Sequence, residues 1–194
     1  MIIYSKDDIN LIIDALNDGK TVAFGTDTVF GLGCIVENKE AKDKIYLIKK
    51  REKNKKLPMM FSSVEMMRKY VEINLEASKV IKHFIKGPIT YILKSKNSDE
   101  TIACRIPDDE WIISLINKLN KPLYVTSANI SNEKPLFKYN EVINILKDVD
   151  VVVKKDADGR ISSTITDATN NFKILREGPI KKEEIEKVLN ENSL

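Results

Sequence analysis

Apolar residues recur along this chain at two different spacings. Ile9, Ile12, Ile13 and Leu16 fall three and four apart, a stripe on one helical face, and Gly19 follows as a stop. Ser5, Asp7 and Asp8 precede the stripe, so a helix capped by Ser5 is expected, with two carboxylates at its positive end. Ala41, Ile45 and Ile48 repeat the helical spacing within residues 40–50. Further helices are expected after Ser63, over Leu75–Ile85, from Asp108 or Asp109 to Leu119, and over 139–147 and 182–190. Between them run short apolar segments of strand character: Thr21–Phe24, 57–62, "ITYILKS", "TIACRIP", "KPLYVTSAN", 150–154, and stretches near 163–167 and 172–176. Gly87-Pro88 breaks the chain. "ITYILKS" and "TIACRIP", joined by a polar turn, read as a hairpin. Helices and strands interleave, yet some strands are adjacent in sequence. That pattern predicts an α/β domain with a mixed sheet. No repeat, linker or low-complexity segment interrupts it, so residues 1–194 read as one domain.

Composition narrows the class. The chain has 194 residues, 42% hydrophobic and 31% charged, which suits one soluble domain with a substantial core. A net charge of +3 does not by itself demand nucleic acid. Two separated cysteines and one histidine exclude a standard zinc site. The start "MIIYSKDDIN" has no basic region followed by a sustained apolar one, and no apolar run approaches the roughly 18 residues of a membrane span. A cytoplasmic protein away from the membrane is expected.

Candidate chemistry sits where strands end. "GKTVAFGTDTVFGLG" is a strand, then Gly25-Thr26-Asp27-Thr28, then a second short apolar run. Those four residues are not an efficient two-residue hairpin. "TSANIS" at 126–131 repeats the pattern, and "SSTITDAT" at 162–169 supplies a third polar group. Each alone reads as an Asx or Ser/Thr turn; together they point to a ligand crevice at strand carboxyl ends. "KKREKNKK" at 49–56 holds six basic residues and one acidic. It reads either as a solvated helix end or as a phosphate site. Lys49 and Arg51 would point about 200° apart on a continuous helix, so they converge only if the helix stops near Ile48. Arg105 lies inside an apolar strand and needs a partner, an internal carboxylate or a ligand anion. Arg176 raises the same question. Cys104, next to Arg105, should face the other side of the sheet. Trp111 reads as core and His83 as surface. There is no Walker-type loop, G-x-G-x-x-G or nucleophile elbow.

Seven stretches in chain order, "GTDTVFGLG", "IKKREKNKKLP", "KGPITYIL", "IACRIPDD", "TSANIS", "SSTITDAT" and "ILREG", resemble the YrdC/Sua5 family of L-threonylcarbamoyladenylate synthases. The likeness runs from about residue 2 to residue 180. It implies an open twisted mixed sheet with flanking helices and a concave basic face, in the single-domain form without an extra C-terminal domain. It implies a nucleotidyltransferase that joins L-threonine, bicarbonate or CO2, and ATP with Mg2+, giving threonylcarbamoyl-AMP and pyrophosphate. That product feeds N6-threonylcarbamoyladenosine formation at position 37 of tRNA through a separate transferase complex, and weak tRNA or RNA binding is part of the same expectation. By resemblance, Lys49 and Arg51 hold ATP phosphates as the catalytic pair. Lys55, Thr101, Ser127, Asn129 and Arg176 lie on the nucleotide side. Thr28, Met60, Arg105, Val125 and Ser163 form the threonine side, with Arg105 on the carboxylate. No resident metal ligands are expected. The chain departs from the family pattern at Gly25, Glu52, Lys56 and Ile85-Lys86, where prolines or Trp-Pro are usual. Competing readings are an RNA-binding module of the same fold without catalysis, a relative that adenylates another carbamate, and a family member that has lost activity.

Overall fold

The computed structural model describes residues 1–159 and 161–191. Its strands are β1 (Ile2–Ser5), β2 (Val22–Gly25), β3 (Phe30–Ile35), β4 (Met59–Met60), β5 (Ile89–Lys94), β6 (Thr101–Arg105), β7 (Leu123–Ser127), β8 (Val151–Lys154), β9 (Thr164–Asp167) and β10 (Lys173–Arg176). Its helices are α1 (Ile9–Asn17), α2 (Lys39–Ile48), α3 (Val64–Met67), α4 (Leu75–His83), α5 (Glu110–Leu119), α6 (Tyr139–Ile145) and α7 (Lys182–Asn190). All ten strands join one sheet in the order β1-β8-β2-β3-β7-β4-β6-β5-β9-β10. Parallel pairs (β1 with β8, β2 with β8, β4 with β6, β5 with β9) mix with antiparallel ones, so the expected mixed sheet is found.

The two halves of this sheet are covered differently. In β2, Val22 and Phe24 pack with α1 and α5 through Ile12, Leu16, Ile112 and Ile116. Ala23, between them, packs on the opposite side with Ala41 and Ile45 of α2 and Val142 of α6. That half is a sandwich with helices on both faces, and β2 and β3 are buried throughout. In the other half, Tyr91, Leu93 and Cys104 pack with Ala77, Val80 and Ile81 of α4 and Ile185 and Val188 of α7. Cys104 therefore faces away from Arg105, as alternation requires.

Three expectations change at this level. Ser5 does not cap α1: it ends β1, whose residues are drawn into parallel pairing with β8, and the helix starts three residues later at Ile9 behind Asp8. The run 57–62 shrinks to the two-residue β4, wedged between β6 and β7. The apolar run after Thr-Asp-Thr is a full strand, β3, and Gly25 pairs with Phe30 across a four-residue loop, too long for a tight two-residue turn. The hairpin of β5 and β6 forms as expected, Lys94 opposite Thr101. β9 and β10 form a second hairpin with a register shift between Ile174 and Arg176.

Candidate active site

The uncovered face of β7, β4, β6, β5, β9 and β10 is the floor of a cleft of about 580 Å³. Alternate residues reach it: Thr101, Ala103 and Arg105 of β6, Thr90 and Ile92 of β5, Ile165 and Asp167 of β9. The ligand crevice therefore runs across a sheet face, not outside the strand ends, because α4 and α7 cover only the opposite face of this half.

The Gly25–Thr28 stretch forms one rim. Thr26 Oγ1 donates to Val29 O (2.7 Å) and accepts from Thr28 N (3.1 Å). Its hydrogen is thus committed, so across the 3.0 Å between the two hydroxyls Thr28 is the donor. Thr28 Oγ1 in turn accepts from Arg105 Nη1 at 2.8 Å, and Asp27 Oδ2 accepts from Arg105 Nη2 at 2.5 Å and from Asp108 N at 3.2 Å. Thr28 and Asp27 thus anchor a buried arginine, and Thr26 braces the loop that carries them. Burial pushes the Asp27 carboxyl up, against the pull of the Arg105 guanidinium, and works against the charge of Arg105 as well. Arg105 keeps N–H capacity toward the cleft, since its two contacts to Gly87 O are long, at 3.4 Å. The segment after β8 lies against this rim: Asp158 N donates to Thr26 O (2.9 Å) and Gly25 N to Lys155 O (3.0 Å). A Cβ at Gly25 would stand 2.2 Å from Asp156 O, so glycine is required there by close approach.

Helix α2 stops at Ile48, two residues short of the expected 40–50 segment and where the apolar spacing permits, and Lys50 takes a left-handed φ of 49°. The backbone then turns, and Arg51 reaches the cleft while donating to Lys55 O (2.8 Å) and Lys56 O (3.1 Å) of its own loop. Lys49 goes the other way. Its ammonium is buried beneath β7 and donates to Ser127 O, to Asn129 O (2.7 Å) and to Asn129 Oδ1 (3.2 Å). Burial and the nearby Arg51 push it down to about 7, while the three oxygens favour its charged form. At the far wall Arg176 donates to Ser163 O (2.7 and 3.0 Å) and Ser163 Oγ (3.1 Å), and Ser163 Oγ meets Thr90 Oγ1 at 2.9 Å.

The structure thus brings ten of the twelve residues singled out from the sequence into one cleft wall: Thr28, Arg51, Lys55, Met60, Thr101, Arg105, Val125, Ser127, Ser163 and Arg176. Lys49 and Asn129 stand behind that wall. Asp27, Thr90 and Lys56 belong to the site and were not singled out. Asp27 was legible in principle, as the carboxylate inside the same short motif as Thr28 when Arg105 needed a partner. Among the described residues, Arg51, Lys55, Lys56, Arg105 and Arg176 face the cleft against one carboxylate, Asp167. No cluster of three or more metal-ligating side chains occurs among them, and no described helix is long and apolar enough to cross a membrane.

Fold and site define the class: an α/β protein in which one half of the sheet leaves a face open and lines it with five basic side chains among the described residues. The particular lineage follows from comparison. Residues 14–178 match the Sua5/YciO/YrdC family, described as telomere recombination, and the chain belongs to that family. It is 32% identical over 156 residues to threonylcarbamoyl-AMP synthase of Aliivibrio fischeri, covering 75% of this chain and 84% of that one. It is 37% identical over 145 residues to a putative threonylcarbamoyl-AMP synthase of Methanocaldococcus jannaschii, covering 70% and 68%. Among solved structures, P. abyssi Sua5 complexed with L-threonine superposes with a TM-score of 0.89 at 28% identity, over 98% of this chain but only 62% of that one. The chain therefore spans about three fifths of that Sua5. E. coli YciO superposes with a TM-score of 0.85 at 22% identity over 95% of this chain and shares the fold.

Proposed function

We propose that this chain is a threonylcarbamoyl-AMP synthase, joining L-threonine, bicarbonate or CO2, and ATP into threonylcarbamoyl-AMP and pyrophosphate. The observation that carries this reading is the convergence of Arg105, Thr28 and the cations Arg51, Lys55 and Arg176 on one cleft in a chain of this family. Arg105 is held by Asp27 and Thr28 with one Nη1 hydrogen uncommitted and only long contacts to Gly87 O on its other edge, which leaves a charge-assisted contact for the amino-acid carboxylate. Thr28 and Ser163 give hydroxyl partners beside it, and Met60 and Val125 give the apolar wall for a methyl group. Arg51, Lys55, Thr101, Ser127 and Arg176 take the nucleotide and its phosphates.

The amine of threonine and CO2 give a carbamate and a proton. A carbamate oxygen then attacks the α-phosphorus, the bond to the bridging oxygen breaks, and pyrophosphate leaves with the electron pair. The attacking carbamate is already an anion, so no strong side-chain base is needed, and the single histidine, His83, lies exposed on α4. The barrier lies in bringing two anions together, which fixed Arg and Lys side chains lower by orientation and electrostatics. With one carboxylate in the wall, Mg2+ fits as the companion of the ATP phosphates, where it supplies charge neutralisation, and not as a resident ion. The product is labile and is handed to a tRNA-modifying transferase, and the basic rim favours weak RNA contact.

The test is pyrophosphate release from MgATP with L-threonine and bicarbonate each present or omitted. Release that needs both is expected. Release with carbamoyl phosphate but not with threonine would instead assign the chain to adenylation of a different carbamate.

A further inference from the structure

Lys49 is the one basic residue of the 49–51 motif whose charge points away from the cleft while touching its wall from behind. The residue is 1% exposed. A lysine ammonium has three donors, and here all three have oxygen partners: Ser127 O, Asn129 O and Asn129 Oδ1. The backbone adds a fourth tie, with Ser131 N donating to Lys49 O at 2.7 Å. Asn129 is gripped from its other end too, Nδ2 donating to Ile130 O (3.0 Å) and Glu133 O (2.7 Å). The turn that carries Ser127 into the cleft is therefore fastened to the end of α2. A phosphate could reach the ammonium only by displacing these carbonyls from a closed seat.

We propose that Lys49 is a positioning residue, whose ammonium locks the Ser127–Asn129 turn against the end of α2 and so holds the Ser127 hydroxyl in the nucleotide wall, without touching the nucleotide itself. This rests on the assignment of that wall to ATP under the proposed function. The same left-handed Lys50 sends Arg51 to the front of the wall and leaves Lys49 behind it, so one helix end sets both the contact and its support. Arginine cannot replace Lys49 here, because a planar fork does not match three oxygens converging on a point.

Two measurements test the idea. The wild-type chain is reductively methylated with formaldehyde and cyanoborohydride, with and without MgATP, and each lysine is read by mass spectrometry. Lys49 should react at least about tenfold more slowly than Lys55 in both conditions, tenfold being roughly 1.4 kcal/mol of protection, whereas Lys55 should be slowed by MgATP. Fast labelling of Lys49 that MgATP suppresses would overturn the proposal. In pyrophosphate release, Lys49→Ala should raise the KM for ATP by about tenfold or more, with the KM for threonine near its wild-type value. Ethylammonium should restore part of the loss by refilling the seat, and Lys49→Arg should not. Full activity of Lys49→Arg would make Lys49 a direct phosphate ligand. If the wild type released no pyrophosphate, the synthase reading would fall, and the labelling pattern would still decide the place of Lys49. The same holds if Lys49→Ala does not fold.

Discussion

Asp27 and Arg105 form an ion pair at 2.5 Å whose side chains are only 10% and 8% exposed, joining the loop after β2 to the last residue of β6. The pair aims the guanidinium across Thr28 into the cleft. Replacing Asp27 with Asn keeps the shape and removes the charge. Losing a charge-assisted bond of this kind should lower stability by about 1.5–3 kcal/mol, read as a urea midpoint. The KM for threonine should rise about tenfold or more, with a smaller effect on the KM for ATP. An unchanged KM for threonine would show that Arg105 needs no help to face its ligand.

Arg51 and Arg105 should separate by their supports. Arg51 donates only to carbonyls of its own loop, so Arg51→Ala should leave the unfolding midpoint within about 0.5 kcal/mol of wild type. Its kcat/KM for ATP should nevertheless fall by about 10–100-fold, the range for a lost charge-assisted contact. Arg105→Ala should lose both activity and stability, because it strands the buried Asp27 carboxylate. A wild-type rate for Arg51→Ala would remove it from the nucleotide site.

Acid should find a different weak point. Asp150 Oδ2 accepts from Thr21 N (2.9 Å) and Thr21 Oγ1 (2.8 Å), and Oδ1 from Lys44 Nζ (2.6 Å). Burial alone would raise its carboxyl; the Lys44 ammonium and the Thr21 donors outweigh it and hold the group below its usual 3.8. The folded value lies below the unfolded one, so the stabilisation is present above about pH 4 and is lost as pH falls through the folded value. Asp150→Asn should therefore be less stable than wild type at pH 7, by on the order of 1–2 kcal/mol for partly exposed bonds. The difference should shrink as pH falls below about 4, measured as paired denaturant midpoints. A constant gap across that range would exclude a charge effect.

Gly25→Ala tests the rim. The added methyl would meet the Asp156 and Lys155 carbonyls at 2.2 and 2.4 Å, and both are backbone, so the segment after β8 must shift. A loss of about 1–3 kcal/mol is expected from overpacking, with a raised KM for threonine, because the shift reaches Thr26 and Thr28. Retained stability would mean that this segment yields freely.

Much of this architecture was legible from spacing. The hairpin of β5 and β6 and the opposed faces of Cys104 and Arg105 follow from local periodicity, which also permits the stop of α2 at Ile48 inside the expected 40–50 segment. What escaped is set by contacts distant in sequence. Ile2–Ser5 has no strong local signal and becomes a strand because β8 offers a parallel partner about 150 residues away. The site was legible as a list of residues and not as a geometry. Lys49 and Arg51 read as a pair that converges once α2 ends; α2 does end at Ile48, yet beyond it the left-handed Lys50 sends Arg51 into the cleft and leaves Lys49 behind its wall. Asp27 escaped because a turn aspartate ordinarily serves its own backbone, whereas here it serves an arginine 78 residues on.

The half of the sheet with helices on one face only has a consequence for how such a site can change over generations. Along β5 and β6, each cleft residue alternates with one committed to the apolar layer under α4 and α7, and along β9 with a buried threonine, Thr164 or Thr166. Substitutions at Thr90, Ile92, Ala103 or Ile165 can therefore alter ligand preference while that layer stays intact. A single-residue insertion or deletion within these strands would exchange the two sets and expose the apolar layer as it destroyed the pocket. Natural variation in this region should accordingly consist of point replacements at alternate positions, with changes in length confined to the connecting loops.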